Sequence, residues 1–386
     1  MKKYIIPALL AVTVFVVTIY FQRFTILRQE GLGLFLNVPD FYRALLFDPF
    51  PLSNLIGSFL VQFYSNFFVG AAIVAALVLS EYIIIKAVTV RLGFDMELPA
   101  LLGACVSWFF LSKASNPSMG VAIVLCSLAV LAAVCVLVRK ITGSRSIADI
   151  KEYVGGVVII VAAALTIIKA PSIKEGEKWS KIEFAAVQGE WNYLLKVATP
   201  SAAKKDIQVV PYALMALNAQ GRLSSDFSKY PIAENFGMDF GDEVSYRRSL
   251  FDAVLYGALG CHNEAIHRTH QCGDFLPHCT SFRTLRMLVK ENHALGDSLM
   301  VVKYCDILDR SLTHRKFTEY YRQHPCVRRE PNTPEESANA LLITTKYPME
   351  QMMLLLNAGI DNPMIMDRYY TYYQVREYFL AHPLDQ

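Results

Sequence analysis

Histidine is missing from the first 170 residues of this chain, and charge of either sign is scarce there. That stretch holds 8 of the 34 acidic and 13 of the 37 basic residues. All eight histidines, 26 acidic and 24 basic residues come after Ala170. An uncharged, apolar first part followed by a polar second part describes a membrane region joined to a water-soluble domain, each long enough for its own core. Other absences exclude whole function classes. There is no Walker loop, Rossmann glycine pattern, HExxH or GxSxG. Ser, His and Asp occur, but at no spacing that singles out a triad. Cys-x-x-Cys is absent, so the usual zinc-ligand spacing is not met. The net charge of +3 comes without clustered arginines and aromatics, so no nucleic-acid partner is expected. No cofactor is expected either.

What is present in the first part is a series of apolar runs. A bilayer-spanning helix needs roughly 20 mostly apolar residues. Five stretches fit that description: 4–20, 67–88, 98–112, 121–138 and 154–170. The first follows Lys2 and Lys3 but lacks a small-x-small cleavage site, so it reads as a retained helix. Lys and Arg in the short loops set orientation. With the N-terminus inside, the cytoplasmic side receives Lys2, Lys3, Lys86, Arg91, Arg139, Lys140, Arg145 and Lys151. The opposite side receives Arg23, Arg28, Arg43 and Lys113. The run Lys169, Lys174, Lys178 and Lys181 pulls the other way. Five spans then put everything after Ala170 outside the cytoplasm.

Between the first two spans, residues 22–60 form an aromatic outer loop. Phe41, Tyr42, Leu45 and Leu46 suggest a short amphipathic helix in the interface, ended by Pro49. Asp40 and Asp48 lie in this loop. The layout resembles lipid-linked sugar transferases of the GT-C class, which carry an acidic catalytic residue in the large outer loop after the first span. The resemblance implies Asp40 or Asp48 as a catalytic acid. Against it, those enzymes have more spans, and Asp40 equally suits the N-cap of FYRALLF. Glu81 falls near one end of its apolar run and, with Lys86 and Arg91 after it, reads as an interfacial residue.

The second part, 171–386, has helical periodicity in pairs. In Arg247–Cys272, Ala253-x-x-Tyr256-x-x-x-Gly260 leads through a glycine turn to Glu264-Ala265-Ile266. This unit resembles a tetratricopeptide (TPR) hairpin, with Ala253, Tyr256, Gly260 and Ala265 as its defining positions. A looser copy, Leu285–Leu308, turns at Gly296-Asp297, and an earlier pair spans Trp191–Leu223. Near the end, Tyr369, Tyr372 and Tyr373 share one helix face. That face either caps the last hairpin or presents an aromatic partner-binding surface.

One segment of this part, GCHNEAIHRTHQCGDFLPHC, packs three cysteines and four histidines into Gly260–Cys279. His267 and His270, three apart, could share a metal. Cys272–Cys279 or Cys305–Cys326 could pair in an oxidising compartment. The hairpin reading instead makes Ala265, Ile266, Thr269 and Cys272 core positions, with Asn263 an N-cap and the histidines on the surface.

Taken whole, the sequence resembles an uncharacterised family of multi-spanning membrane proteins from Bacteroidota. The resemblance rests on EGLGLFLNVPDFYRALLF with FLVQFYSN, and on EWNYLLKVA with LYGALGCHNEAI. It implies an all-α chain: multi-pass helices, then a TPR-like α-solenoid. It also implies a place in the bacterial inner membrane with a periplasmic C-terminal domain. The expected function is a membrane-anchored scaffold for a protein or peptide partner. The alternative is an envelope enzyme or transporter acting on a lipid-linked substrate at the outer loop.

Overall fold

The computed structural model describes residues 4–48, 51–91, 97–113, 124, 127, 150–222, 226, 229–230, 245–258, 260 and 262–326. Among these residues every regular element is helical. The fourth expected span, 121–138, falls outside them except for two positions, and Tyr369, Tyr372 and Tyr373 fall outside them altogether. The chain divides into two compact units. The first comprises Met1–Ser180 together with Ser281–Arg283 and Ile307–Phe317; the second takes the remainder.

In the first unit, α1 (Ile5–Phe21) buries Ile6, Leu10, Val14 and Val17, one stripe at helical spacing. It bends by 81° into α2 (Arg23–Leu32) at Gln22, whose extended φ of −135° breaks the helical run. Glu177 sits at that bend and closes it. Its carboxylate accepts from the Phe24 and Thr25 amides at 3.2 and 2.8 Å and from the Thr25 hydroxyl at 2.8 Å. It thereby satisfies N–H groups that the first turn of α2 leaves without intrahelical acceptors. The stretch expected as an outer loop is therefore largely helical. It continues through an extended piece, α3 (Pro39–Leu45), α4 (Pro51–Val61) and a 3₁₀ turn at Gln62–Ser65.

Next come α5 (Phe67–Arg91), α6 (Leu98–Lys113), α7 (Ile150–Lys169) and α8 (Pro171–Gln188). Of the helices in the described residues, α5 alone is long and apolar enough to cross a membrane unaided. The bent pairs α1–α2 and α7–α8 pass the same test when each is taken as one span. Side-chain contacts fix the helix directions. A Cβ on Gly156, early in α7, would lie 3.0 Å from Ile6 and 3.2 Å from Leu101, which begin α1 and α6. At the other end, Ser112 of α6 donates to Gln22 at 3.2 Å, and Gln29 donates to the Leu111 carbonyl at 3.1 Å. Helices α1, α6 and α7 therefore run parallel. Helix α5 runs against them, its Gly70 abutting Ile26 and its Ile85 abutting Gly103.

The second unit is built of short helices: α9 (Trp191–Val197), α10 (Pro200–Lys205), α11 (Val210–Ala219), α12 (Tyr246–Ala258) and α13 (His262–Gly273). Most of α14 (Phe282–Leu295), α15 (Ser298–Leu308) and α16 (Arg315–Gln323) also belongs to it. The expected glycine turn between α12 and α13 is present, with Gly260 at φ 78°. Ala253 and Ala265 are fully buried, as a small residue at a helix crossing must be. Gly296, at φ 87°, turns α14 into α15, and Asp297 caps α15 by accepting from the Met300 amide at 3.1 Å. Such positive φ values carry no steric cost for glycine.

Candidate functional site

The concave feature of the first unit is a cavity of about 420 Å³ lined by Phe35, Asn37, Tyr42, Leu55, Ile56, Phe59 and Leu312. The sequence builds it simply. Proline at 39 starts α3 and Val38 before it is extended, so residues 33–38 form a non-helical strap that meets α4 through Phe35 and Phe59. Phe35, buried in the strap, packs edge-on against Phe59 at 5.4 Å and Phe41 at 5.9 Å between ring centroids. Tyr42 donates to the Asn37 side-chain oxygen at 2.5 Å, which fixes the polar end of the wall.

The remaining wall comes from far along the chain. The Asn37 amide donates to the Arg310 carbonyl at 2.9 Å, and the Leu312 amide donates to Gln62 at 3.0 Å. The Phe282 amide donates to the Gly33 carbonyl at 2.9 Å. Beneath these contacts lies a buried acid–imidazole pair. His314 Nε2 and Glu30 Oε1 are 3.0 Å apart, and both side chains are 3% exposed. Phe282 stacks on the imidazole at 4.3 Å. Ser311 Oγ donates to the Leu308 carbonyl at 2.8 Å, so its oxygen is left to accept from His314 Nδ1, also at 2.8 Å. The arrangement binds segment 307–317 to the strap. The Thr313 hydroxyl lies 3.1 Å from the same Nδ1.

The acids expected to act lie elsewhere. Asp40 is 89% exposed and pairs with Arg43 at 3.3 Å, one turn on in α3. It is not the N-cap of that helix; Val38 is, and Asp40 occupies the first turn behind Pro39. Asp48 follows α3, and neither acid lines the cavity. Glu81 is 4% exposed, packed among the helices of the first unit, and it accepts from Ser127 Oγ at 2.9 Å. Lys86 pairs instead with Glu97 at 2.9 Å, and Tyr82 donates to the same carboxylate.

In the cysteine- and histidine-rich segment, His267 and His270 are exposed on α13, and His267 bonds to Gln271 at 3.2 Å. Partial loss of water pushes the His270 imidazole below its usual value, with His267 and Lys303 adding to the effect. No group of three metal-ligating side chains occurs among the described residues. Cys272, Cys279, Cys305 and Cys326 carry thiols rather than disulfides. Tyr256 stands under the Arg268 guanidinium at 5.7 Å. Asn263 falls inside the first turn of α13 rather than capping it. Sequence reasoning missed Glu30, His314, Phe282 and Gln62. Each is unremarkable in its local pattern, and only their convergence identifies them.

A family model described as a family of unknown function (DUF6057) matches residues 1–182 and 115–382. The resemblance read from the sequence, to a family without established chemistry, is met at that level. No curated protein and no solved structure matches the chain.

Proposed function

The chain belongs to DUF6057, a family of unknown function, and we propose that it acts as a multi-pass, membrane-anchored scaffold whose helical hairpins bind a protein or peptide. The observation that carries the binding reading is on α15. Leu299 is 82% exposed and Val302 47%, three residues apart on one face of the second glycine-turned hairpin. TPR-like units bury one face only against a neighbour, and an uncovered apolar face of this kind suits a partner helix.

Membrane anchoring has independent support. Leu102, Val106 and Phe110 form an exposed apolar stripe on α6, and Val158, Val161 and Leu165 another on α7. Helices apolar on both inner and outer faces belong in lipid. The multi-pass reading with the second half outside the cytoplasm draws on the helix directions. Helices α1, α6 and α7 run parallel and α5 runs against them, which is compatible with an odd number of spans. Contact of Glu30 and Asn37 with residues 310–314 likewise needs the stretch after α1 and the later segment on the same side. The alternative, an enzyme using Asp40 or Asp48, has less support, because neither acid faces the cavity.

The test is photo-crosslinking in cells from a diazirine residue at position 299 or 302. A discrete protein adduct at both positions is expected, and the one from position 302 should be lost in Leu299→Asp. Adducts to lipid alone, or none, would overturn the scaffold reading.

A further inference from the structure

The cavity in the first unit is not explained by a scaffold whose partner docks on α15. Its lining is aliphatic and aromatic apart from the Asn37 amide and the Tyr42 hydroxyl, both at one end. A volume of about 420 Å³ is that of roughly fourteen waters at ~30 Å³ each. A methylene is of similar size, so the space suits a hydrocarbon chain of about a dozen carbons. Water is a poor occupant of such a lining, since it needs two to four polar partners.

The surroundings say where such a chain would come from. On α4, Leu52, Ile56 and Phe59 fall on one face at helical spacing and are all exposed; Ile56 and Phe59 line the cavity, and Leu52 continues their face outward. On α3, Tyr42 lines the cavity and Leu46, one turn on, is exposed, followed by Phe47 at 91%. This rim of exposed Leu, Ile and Phe is continuous with the cavity wall. In water it would be a liability; against a bilayer it is the apolar face of an interfacial element. The bilayer that would cover the rim is also a reservoir of free chains at its edge.

We propose that this cavity holds one acyl chain of a membrane phospholipid. The glycerol and ester end lies toward Asn37 and Tyr42, and Leu312 supplies part of the apolar wall. The proposal rests on the membrane-anchored reading given above. It assigns the aromatic strap a binding role, with Leu312 of segment 307–317 as part of the wall of the site.

The experiment uses the full chain reconstituted in vesicles of phosphatidylethanolamine and phosphatidylglycerol with tritiated acyl chains. A diazirine residue replaces Leu55, inside the cavity, or Phe47, on the rim. Labelling from both positions is expected, and filling the cavity by Ile56→Trp should reduce labelling from position 55 at least tenfold while leaving position 47 unchanged. Labelling from 47 alone would overturn the cavity proposal and leave membrane anchoring standing. Labelling from neither would overturn both. If an added polyprenyl phosphate abolishes labelling from 55 but not from 47, the occupant is an isoprenoid, and the acyl assignment is wrong.

Discussion

Replacing His314 by alanine removes the centre of the clamp between segment 307–317 and the strap after α1. Three consequences follow from the contacts. Glu30, 3% exposed, loses its partner at 3.0 Å, although it keeps a further interaction. Phe282 loses a ring stacked at 4.3 Å. The space of the imidazole becomes a void among fully enclosed groups. An unsatisfied buried polar group costs about 1–3 kcal/mol, and aromatic stacking is worth about 0.5–1.5 kcal/mol. Together they give a local loss of about 3 kcal/mol. The proper readout is hydrogen exchange of the Leu312 and Asn37 amides, which donate to Gln62 and to Arg310 across this join. Segment opening reports local stability directly, and at 1.4 kcal/mol per tenfold protection should fall about a hundredfold at both amides. Amides of the α12–α13 hairpin should be unaffected. His314→Gln, which can still hydrogen-bond Glu30, should recover part of the protection. A change below threefold at Leu312 and Asn37 in the alanine variant would refute the clamp.

Glu177→Ala should cost about 2–3 kcal/mol in thermal unfolding in detergent, because three hydrogen bonds at the start of α2 disappear together; a loss under 0.5 kcal/mol would contradict the capping role. Gly273→Ala places a Cβ 2.2 Å from the Cys279 carbonyl oxygen, so the turn after α13 must shift, at about 1–3 kcal/mol by the usual cost of overpacking, measurable as a lowered melting temperature. Burial holds the Lys290 ammonium below its ordinary value of 10.5, with Arg286 adding to the effect. Between its folded and unfolded values the unfolded chain binds more protons at this site, so stability from this group rises with pH across that interval. Lys290→Met should flatten that alkaline rise in the melting curves, and an unchanged slope would show the group is not desolvated. Asp40→Asn and Asp48→Asn together should leave fold and membrane insertion intact, checked by detergent-solubilised melting within about 0.5 kcal/mol.

The helices themselves were legible because periodicity and turn residues are local signals. Ala253, Gly260 and Ala265 announced a hairpin, and Gly296-Asp297 announced the next, each by a backbone requirement that few residues meet. The spacing of Phe41, Tyr42, Leu45 and Leu46, with Pro49 beyond, located α3, although the start at Pro39 was not foreseen. Residues 22–60 were harder, because a stretch of about forty residues of mixed polarity can be loop or short helices. What chose helices was Glu177, about 150 positions away, supplying acceptors at a bend. The cavity and its clamp were illegible for the same reason. Glu30 and His314 sit 284 positions apart, and no pattern in either neighbourhood asks for the other. Conversely, the dense cysteines and histidines of Gly260–Cys279 drew attention by composition alone. In the fold, that segment's most constrained residue is Gly273, which composition does not mark.

Because Ser281–Arg283 and Ile307–Phe317 belong to the first unit, that unit cannot be completed as its own residues leave the ribosome. Roughly 140 residues must be synthesised after Ser180 before His314 can reach Glu30. Glu30 is made 284 positions before His314, so at about 5–20 residues per second the acid would wait roughly fifteen to sixty seconds with its partner not yet made. During that interval the strap and the aromatic wall around Phe35 stand open to whatever lipid or chaperone is at hand. A nascent chain arrested near residue 300 would expose that intermediate, and the order of assembly, the first helices before their closing segment, is written into the connectivity of the fold.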